Sequence, residues 1–182
     1  MKFENTPLKD CLLIHDTVFE DNRGSFFESF NRKRFLQLTG IDANFVQDNQ
    51  SYSTKGVLRG LHFQTGDQSQ AKLVRVLQGR VLDVAVDLRK DSPSFGQHLA
   101  IELSDSSKTQ LYVPRGFAHG FVVLSESAVF FYKCDNYYSK EAESGILYND
   151  PYLKIDWQLP ESDLLVNEKD QQNALFQNIS YF

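Results

Sequence analysis

The chain has 182 residues, 41% apolar and 24% charged, which fits a globular fold of one-domain size and excludes a disordered or fibrous chain. Its 24 acidic and 19 basic residues leave a net charge of −5, so there is no domain-wide basic field for nucleic acid. Positive charge for an anionic ligand has to be gathered locally.

The 15 Phe, 8 Tyr and single Trp tilt the composition toward β-structure. The opening residues Met1–Asp10 lack the apolar core of a secretion signal, and the longest near-apolar run, Val81–Leu88, is interrupted by charge. A cytoplasmic chain with no membrane span is expected. Cys11 and Cys134 are too few for a disulfide framework or a four-thiolate zinc site and read as buried thiols. Asn31 is placed to cap a short helix through Arg34, Phe35 and Leu38, closed by Gly40. Lys72–Leu77 runs into the turn Gln78-Gly79, after which Leu82, Val84, Val86 and Leu88 alternate with Asp83, Asp87 and Arg89. Leu99, Ile101 and Leu103 alternate with Glu102 and Ser104, and Leu111 and Val113 lead into the turn Pro114-Arg115-Gly116. Phe117–Leu124 and Ala128–Cys134 flank a Ser125-Glu126 turn. Short strands at this spacing predict an antiparallel sandwich or barrel. A second short helix is expected from Asn167, with Glu168, Lys169 and Asp170 in its first turn. No repeat or linker interrupts the chain. Residues 1–182 therefore read as one domain, with an N-terminal strand and helix extension over about 1–50 and a C-terminal helical tail over about 160–182. The tail carries Leu175, Phe176, Ile179, Tyr181 and Phe182, and should find a groove on its own subunit or a partner.

Several motifs stand in one order along the chain. Arg23-Gly24-Ser25-Phe26-Phe27-Glu28 is followed by Gln47-Asp48-Asn49, then by Leu58-Arg59-Gly60-Leu61-His62-Phe63-Gln64 and Ala71-Lys72-Leu73-Val74-Arg75. Val84-Ala85-Val86-Asp87-Leu88-Arg89 and Pro114-Arg115-Gly116-Phe117-Ala118-His119-Gly120-Phe121 come next, then Tyr132-Lys133, Asn136-Tyr137-Tyr138 and Asn149-Asp150-Pro151. In order and spacing these resemble the dTDP-4-dehydrorhamnose 3,5-epimerase family, from about Phe19 to Asp170. The resemblance implies an all-β, antiparallel, cupin-like double-stranded β-helix (a jelly-roll barrel) with a few short helices. It also implies a homodimer without metal or cofactor, whose substrate is a dTDP-linked 4-keto-6-deoxyhexose inverted at C3 and C5.

Both carbons lie α to the C4 ketone, so the reaction needs a base, a stabiliser for the enolate oxygen and an acid on the opposite face. The resemblance makes His62 the base, Asp170 its partner, Tyr132 the acid and Lys72 the enolate stabiliser. Read alone, each has a plain alternative: a barrel histidine, a core tyrosine, a surface lysine. Asp170 stands three residues after Asn167, at capping-box spacing, so it could equally satisfy a helix N-terminus. Lys72 would be oddly placed beside Val74 and Val76 if that face is inward.

The same resemblance assigns substrate contacts to Arg23, Glu28, Gln47, Asp48, Asn49, Arg59, Lys72, His119, Glu143 and Lys169, and thymine stacking to Tyr138. Arginine suits a diphosphate because its planar fork makes paired, charge-assisted bonds. The family also suggests that Arg23 and Glu28 reach a neighbouring subunit's pocket. Its usual Leu-Ser-x-Lys-Asp reads Val166-Asn167-Glu168-Lys169-Asp170 here, which keeps the Lys-Asp pair.

Strict alternation puts Arg59 and His62 on opposite faces, although both are asked to reach one pocket. A bulge or kink near Gly60 is therefore predicted. A metal-dependent oxygenase is disfavoured, because His62-Phe63-Gln64 lacks the second histidine of a His-x-His pair, while His15 and His98 lie in unrelated contexts. The remaining rivals are a C3-only epimerase, a ketoisomerase of a related dTDP-4-keto-6-deoxysugar, and a non-catalytic nucleotide-sugar-binding cupin.

Overall fold

The computed structural model describes residues 1–182. In chain order its strands are β1 (Lys2–Asn5), β2 (Leu12–His15), β3 (Phe19–Asp21), β4 (Gly24–Phe26), β5 (Gln47–Thr54), β6 (Val57–Gln64) and β7 (Lys72–Gln78). They continue with β8 (Arg80–Asp87), β9 (His98–Ser104), β10 (Thr109–Val113), β11 (Phe117–Val123), β12 (Ser127–Cys134), β13 (Glu143–Gly145) and β14 (Leu165–Val166). The α-helices are α1 (Arg32–Thr39) and α2 (Glu168–Gln171).

One six-stranded sheet runs β1-β2-β10-β7-β12-β5, and a second runs β13-β6-β11-β8-β9 with β14 added in parallel beside β6. All other pairings are antiparallel, and β3–β4 is a separate hairpin. The fold is the expected cupin-like jelly roll. No helix is long and apolar enough to cross a membrane.

The two sheets close on a shared interior of Val74 and Val76 from β7, Val81 and Ala85 from β8, Phe121 from β11, and Phe130 from β12. The Phe121 and Phe130 rings stack at 4.2 Å, a contact that contributes about 0.5–1.5 kcal/mol beyond area burial. Two further layers lie outside the sheets. Phe35 of α1 is buried with Leu12, Ile14, Leu73 and Tyr112 on the outer face of the first sheet. On the second sheet, Leu82, Val84 and Val86 pack against Ile146, Leu153, Trp157 and Phe176.

The alternation in β8 thus separates two cores, not core from solvent. Leu82, Val84 and Val86 face the C-terminal segment, while Val81 and Ala85 face the barrel interior, and all of β8 after Arg80 is buried. The apolar tail finds its groove on its own chain. Ile179, Tyr181 and Phe182 pack on that outer layer, and the Phe182 N–H donates to the Leu88 carbonyl at 3.2 Å.

Both expected helix starts are observed. Asn31 Oδ1 accepts from the Arg34 N–H, and Gly40, with φ 74°, ends α1 by donating to Leu36 O.

Candidate active site

The β6–β11 ladder breaks where the sequence predicted it would. His62 pairs with His119 and Arg59 with Phe121, so Gly60 and Leu61 together oppose Gly120. Gly60 sits at φ 123°, and a Cβ there would lie 2.6 Å from Gly120 Cα and 2.8 Å from His119 O. Only glycine fits both the backbone angle and the close approach. The extra residue turns Arg59 and His62 onto one cavity of about 290 Å³, lined also by Asn49, Lys72, His119, Tyr132 and Asp170.

His62 Nε2 lies 2.7 Å from Asp170 Oδ1. Asp170 is 0% exposed, and its Oδ2 accepts from the Gly60 N–H at 3.1 Å. Burial pushes this carboxyl up, but the hydrogen bonds from His62 and Gly60 prevail and hold it below the usual carboxylate range. The capping alternative for Asp170 is resolved at the atomic level. Asn167 Oδ1 accepts the Asp170 backbone N–H at 2.7 Å, which leaves the side chain free for His62. The cap and the dyad are therefore one device: the helix start aims the carboxylate.

Tyr132, on the inward row of β12 with Ala128 and Phe130, lies half-buried in the cavity wall, and burial pushes its phenol up to about 12. It is therefore a protonated donor at neutral pH. Lys72 lines the same cavity on the inward row of β7, as its Val74 and Val76 neighbours suggested, with Nζ 5.9 Å from the Tyr132 ring centre. Burial depresses its ammonium below the usual lysine value. His119 also faces the cavity, with Nε2 at 3.0 and 2.9 Å from Asp83 Oδ1 and Oδ2.

A second cavity of about 220 Å³ shares Asn49, His62, Lys72 and Tyr132 with the first and extends to Gln47, Gln64, Tyr138 and Glu143. There Tyr138 Oη donates to Glu143 Oε2 at 2.9 Å, and Lys169 Nζ donates to the same oxygen. Burial raises the Glu143 carboxyl, but these two donors outweigh it and lower it overall. Tyr138 is 52% exposed.

The family model for dTDP-4-dehydrorhamnose 3,5-epimerase matches residues 5–178. The chain belongs to the dTDP-4-dehydrorhamnose 3,5-epimerase family.

A family member from Salmonella typhimurium is 55% identical over 159 residues, covering 86% of this chain and 87% of its own length. The crystal structure of the Elizabethkingia anophelis 3,5-epimerase is 58% identical, with a TM-score of 0.96 over 100% of this chain and 99% of that one. The Legionella pneumophila enzyme, solved in complex with dTDP-4-keto-L-rhamnose, is 49% identical, with a TM-score of 0.94 over 98% and 94% of the two chains.

Three of the contacts expected from the 3,5-epimerase resemblance lie away from these cavities in this chain. Period two in β5 sends Gln47 and Asn49 toward the cavities and turns Asp48 outward, where it pairs with Lys133 at 2.9 Å. Arg23 stands on the β3–β4 hairpin and bonds only Asp21, in a surface recess lined by hairpin residues alone. Glu28 pairs with Arg34 at 3.1 Å and accepts from Asn31 Nδ2 at the start of α1.

Sequence reasoning did not assign Gln64 or Asn167 to the cavities they line, nor Asp83 to the ring of His119 behind them. Asn167, taken only as a cap, lines the cavity. Asp83, taken as the polar half of an alternating strand, is 0% exposed and holds His119. The available signal was an acid on a strand whose alternate residues also had to be buried.

Proposed function

We propose that the chain inverts C3 and C5 of dTDP-4-dehydro-6-deoxy-D-glucose to give dTDP-4-dehydro-L-rhamnose, with His62 as base, Tyr132 as acid and Lys72 at the enolate oxygen. The observation that carries this reading is that β6 and β12 belong to opposite sheets, yet His62 and Tyr132 line one cavity of hexose scale. A base and an acid approaching a sugar ring from opposite walls are what inversion at carbon requires.

Asp170 fixes the His62 ring and offsets the imidazolium formed when the α-proton arrives. The negative charge left behind spreads to O4 of the sugar, where the Lys72 ammonium stabilises it. The Tyr132 phenol, protonated at neutral pH, returns a proton to the far face, and exchange with water resets both groups for the second carbon. Arg59 and Gln47 extend the site toward a diphosphate, and the exposed ring of Tyr138 offers a platform for thymine. The complex of the Legionella relative with dTDP-4-keto-L-rhamnose supports this substrate class.

A homodimer belongs to the same proposal. Phe19 and Phe26 on the β3–β4 hairpin are 63% and 72% exposed, and Arg23 and Glu28 have no place in their own cavity. A hairpin reaching a second copy's pocket accounts for both facts. A reducing, cytoplasmic setting suits the two free cysteines.

The test is turnover of dTDP-4-keto-6-deoxyglucose in D2O, followed by NMR at each carbon. Label at C3 and C5 is expected. Label at C3 alone would make the chain a monoepimerase, and no label would leave a binding module.

A further inference from the structure

Asp83 and Lys72 sit on facing inward rows of the barrel. Lys72, Val74 and Val76 form the row on β7; Val81, Asp83 and Ala85 form the row on β8; their apolar members share one interior cluster. The cavities that Lys72 lines also take in Tyr132 from β12, Arg59 and His62 from β6, His119 from β11, Glu143 from β13 and Asp170 from α2, and the charges that act on its ammonium are Cys134 of β12, Asp83 of β8 and Glu143.

The three carboxylates differ in what else they hold. Asp170 is engaged by His62 and the Gly60 N–H, and Glu143 by Lys169 and Tyr138. Asp83 meets only the His119 ring, through one nitrogen shared by both its oxygens. No lysine or arginine lies within ion-pair distance of Asp83, whose side chain is fully buried. A buried charge without an opposite charge is costly, and the Lys72 ammonium faces it from the other sheet.

We propose that Asp83 is a positioning residue for the epimerase reaction: clamped by His119, its buried carboxylate is the fixed counter-charge of the Lys72 ammonium. The proposal rests on the reading of Lys72 as the enolate stabiliser. His119 keeps the carboxylate from swinging onto Lys72 in a direct bond, so the ammonium stays available to the oxygen where charge develops. The ring of His119 is itself held at 6.0 Å, nearly parallel, over Phe130, whose other neighbours are Phe121 and Tyr132. Among the charges facing it, Asp83 supports the charged form of Lys72 against burial.

The experiment is Asp83→Asn in the full chain, which retains the shape and one acceptor for His119 but removes the charge. Lysine labelled with ¹³C at Cε reports titration of Lys72, assigned by loss of its signal in Lys72→Arg. Without the Asp83 charge, the Lys72 midpoint moves to lower pH by about one unit or more, and the alkaline limb of kcat/KM moves with it. An unmoved midpoint with activity lowered equally at every pH would overturn the proposal and reduce Asp83 to a packing role. His119→Gln is the companion variant, because it keeps the charge and removes the imidazole. Its Lys72 midpoint is expected to stay in place, and a downward move as large as that of Asp83→Asn would also overturn the proposal. Deuterium wash-in by the wild-type enzyme separates this inference from the reading beneath it. Wash-in with an unmoved Lys72 sinks the role of Asp83 alone, whereas absence of wash-in sinks the reaction.

Discussion

His62 and His119 face each other in the β6–β11 register, and each ring is held through Nε2 by a different buried aspartate, Asp170 for one and Asp83 for the other. The two pairs are not equivalent. His62 is 32% exposed at its side chain and open to a ligand, while His119 is nearly enclosed. The exposed edge of His62 can meet a ligand, whereas His119 is held mainly by the protein, which fits a base beside a clamp.

Removing the base should stop chemistry and leave the fold. His62→Ala is expected to lower kcat by about 10²–10⁴-fold and, because it strips buried Asp170 of its partner, to lower the melting temperature while the protein still folds. Single-turnover kinetics alongside melting curves check both halves.

Tyr132→Phe should separate proton removal from inversion. The base and the enolate stabiliser remain, so solvent deuterium still enters the substrate, but return to the original face dominates and little product forms. NMR of recovered substrate and product in D2O gives the ratio. Normal product yield would remove Tyr132 from the acid role.

The alkaline side of the pH profile should belong to Lys72. Burial lowers its ammonium below the usual lysine value, while the Tyr132 phenol is pushed up to about 12. As pH rises, Lys72 loses its proton first, so kcat/KM falls below the pH at which Tyr132 ionises. The residual activity of Tyr132→Phe should keep the same limb, and an absent limb in that variant would transfer it to the phenol.

Asp170 also ties stability to pH. Its folded carboxyl lies below the unfolded value of 3.8, so its contribution is fully present above about that pH and is lost as pH falls through the folded value. Asp170→Asn should be less stable by about 1–3 kcal/mol at neutral pH, with the gap closing as pH falls below the unfolded value of 3.8. Urea unfolding across that range measures it.

Subunit exchange can be tested by mixing two inactive proteins. If Arg23 serves a neighbour's pocket, Arg23→Ala mixed with His62→Ala forms hybrids with one intact site, recovering about a quarter of wild-type activity. No recovery after mixing and refolding would confine Arg23 to its own surface hairpin.

Much of the barrel was legible because turns and period-two runs are local signals. The Gln78-Gly79 turn and the Asn31 and Asn167 caps each follow from a few adjacent residues, whereas the Gly60 bulge followed from asking Arg59 and His62, as the family pattern does, to reach one pocket. The sidedness of the strands was harder. Asp48 was assigned with its neighbours as a block, whereas the pleat turns it outward. Asp83 looked solvated because nothing local says that a C-terminal segment covers the far face of β8. The site residues Arg59, His62, Lys72, His119 and Tyr132 converge from separate strands, so their meeting came from the family pattern and not from periodicity.

The carboxylate that aims His62 comes 108 positions later in the chain, from a segment stapled to β6 by β14. A nascent polypeptide can therefore complete both sheets while its imidazole still lacks a partner. Without that stretch the imidazole loses its carboxylate and the outer face of β8 loses the cover of Phe176, Ile179 and Phe182, so an otherwise closed barrel would be both idle and unsheathed.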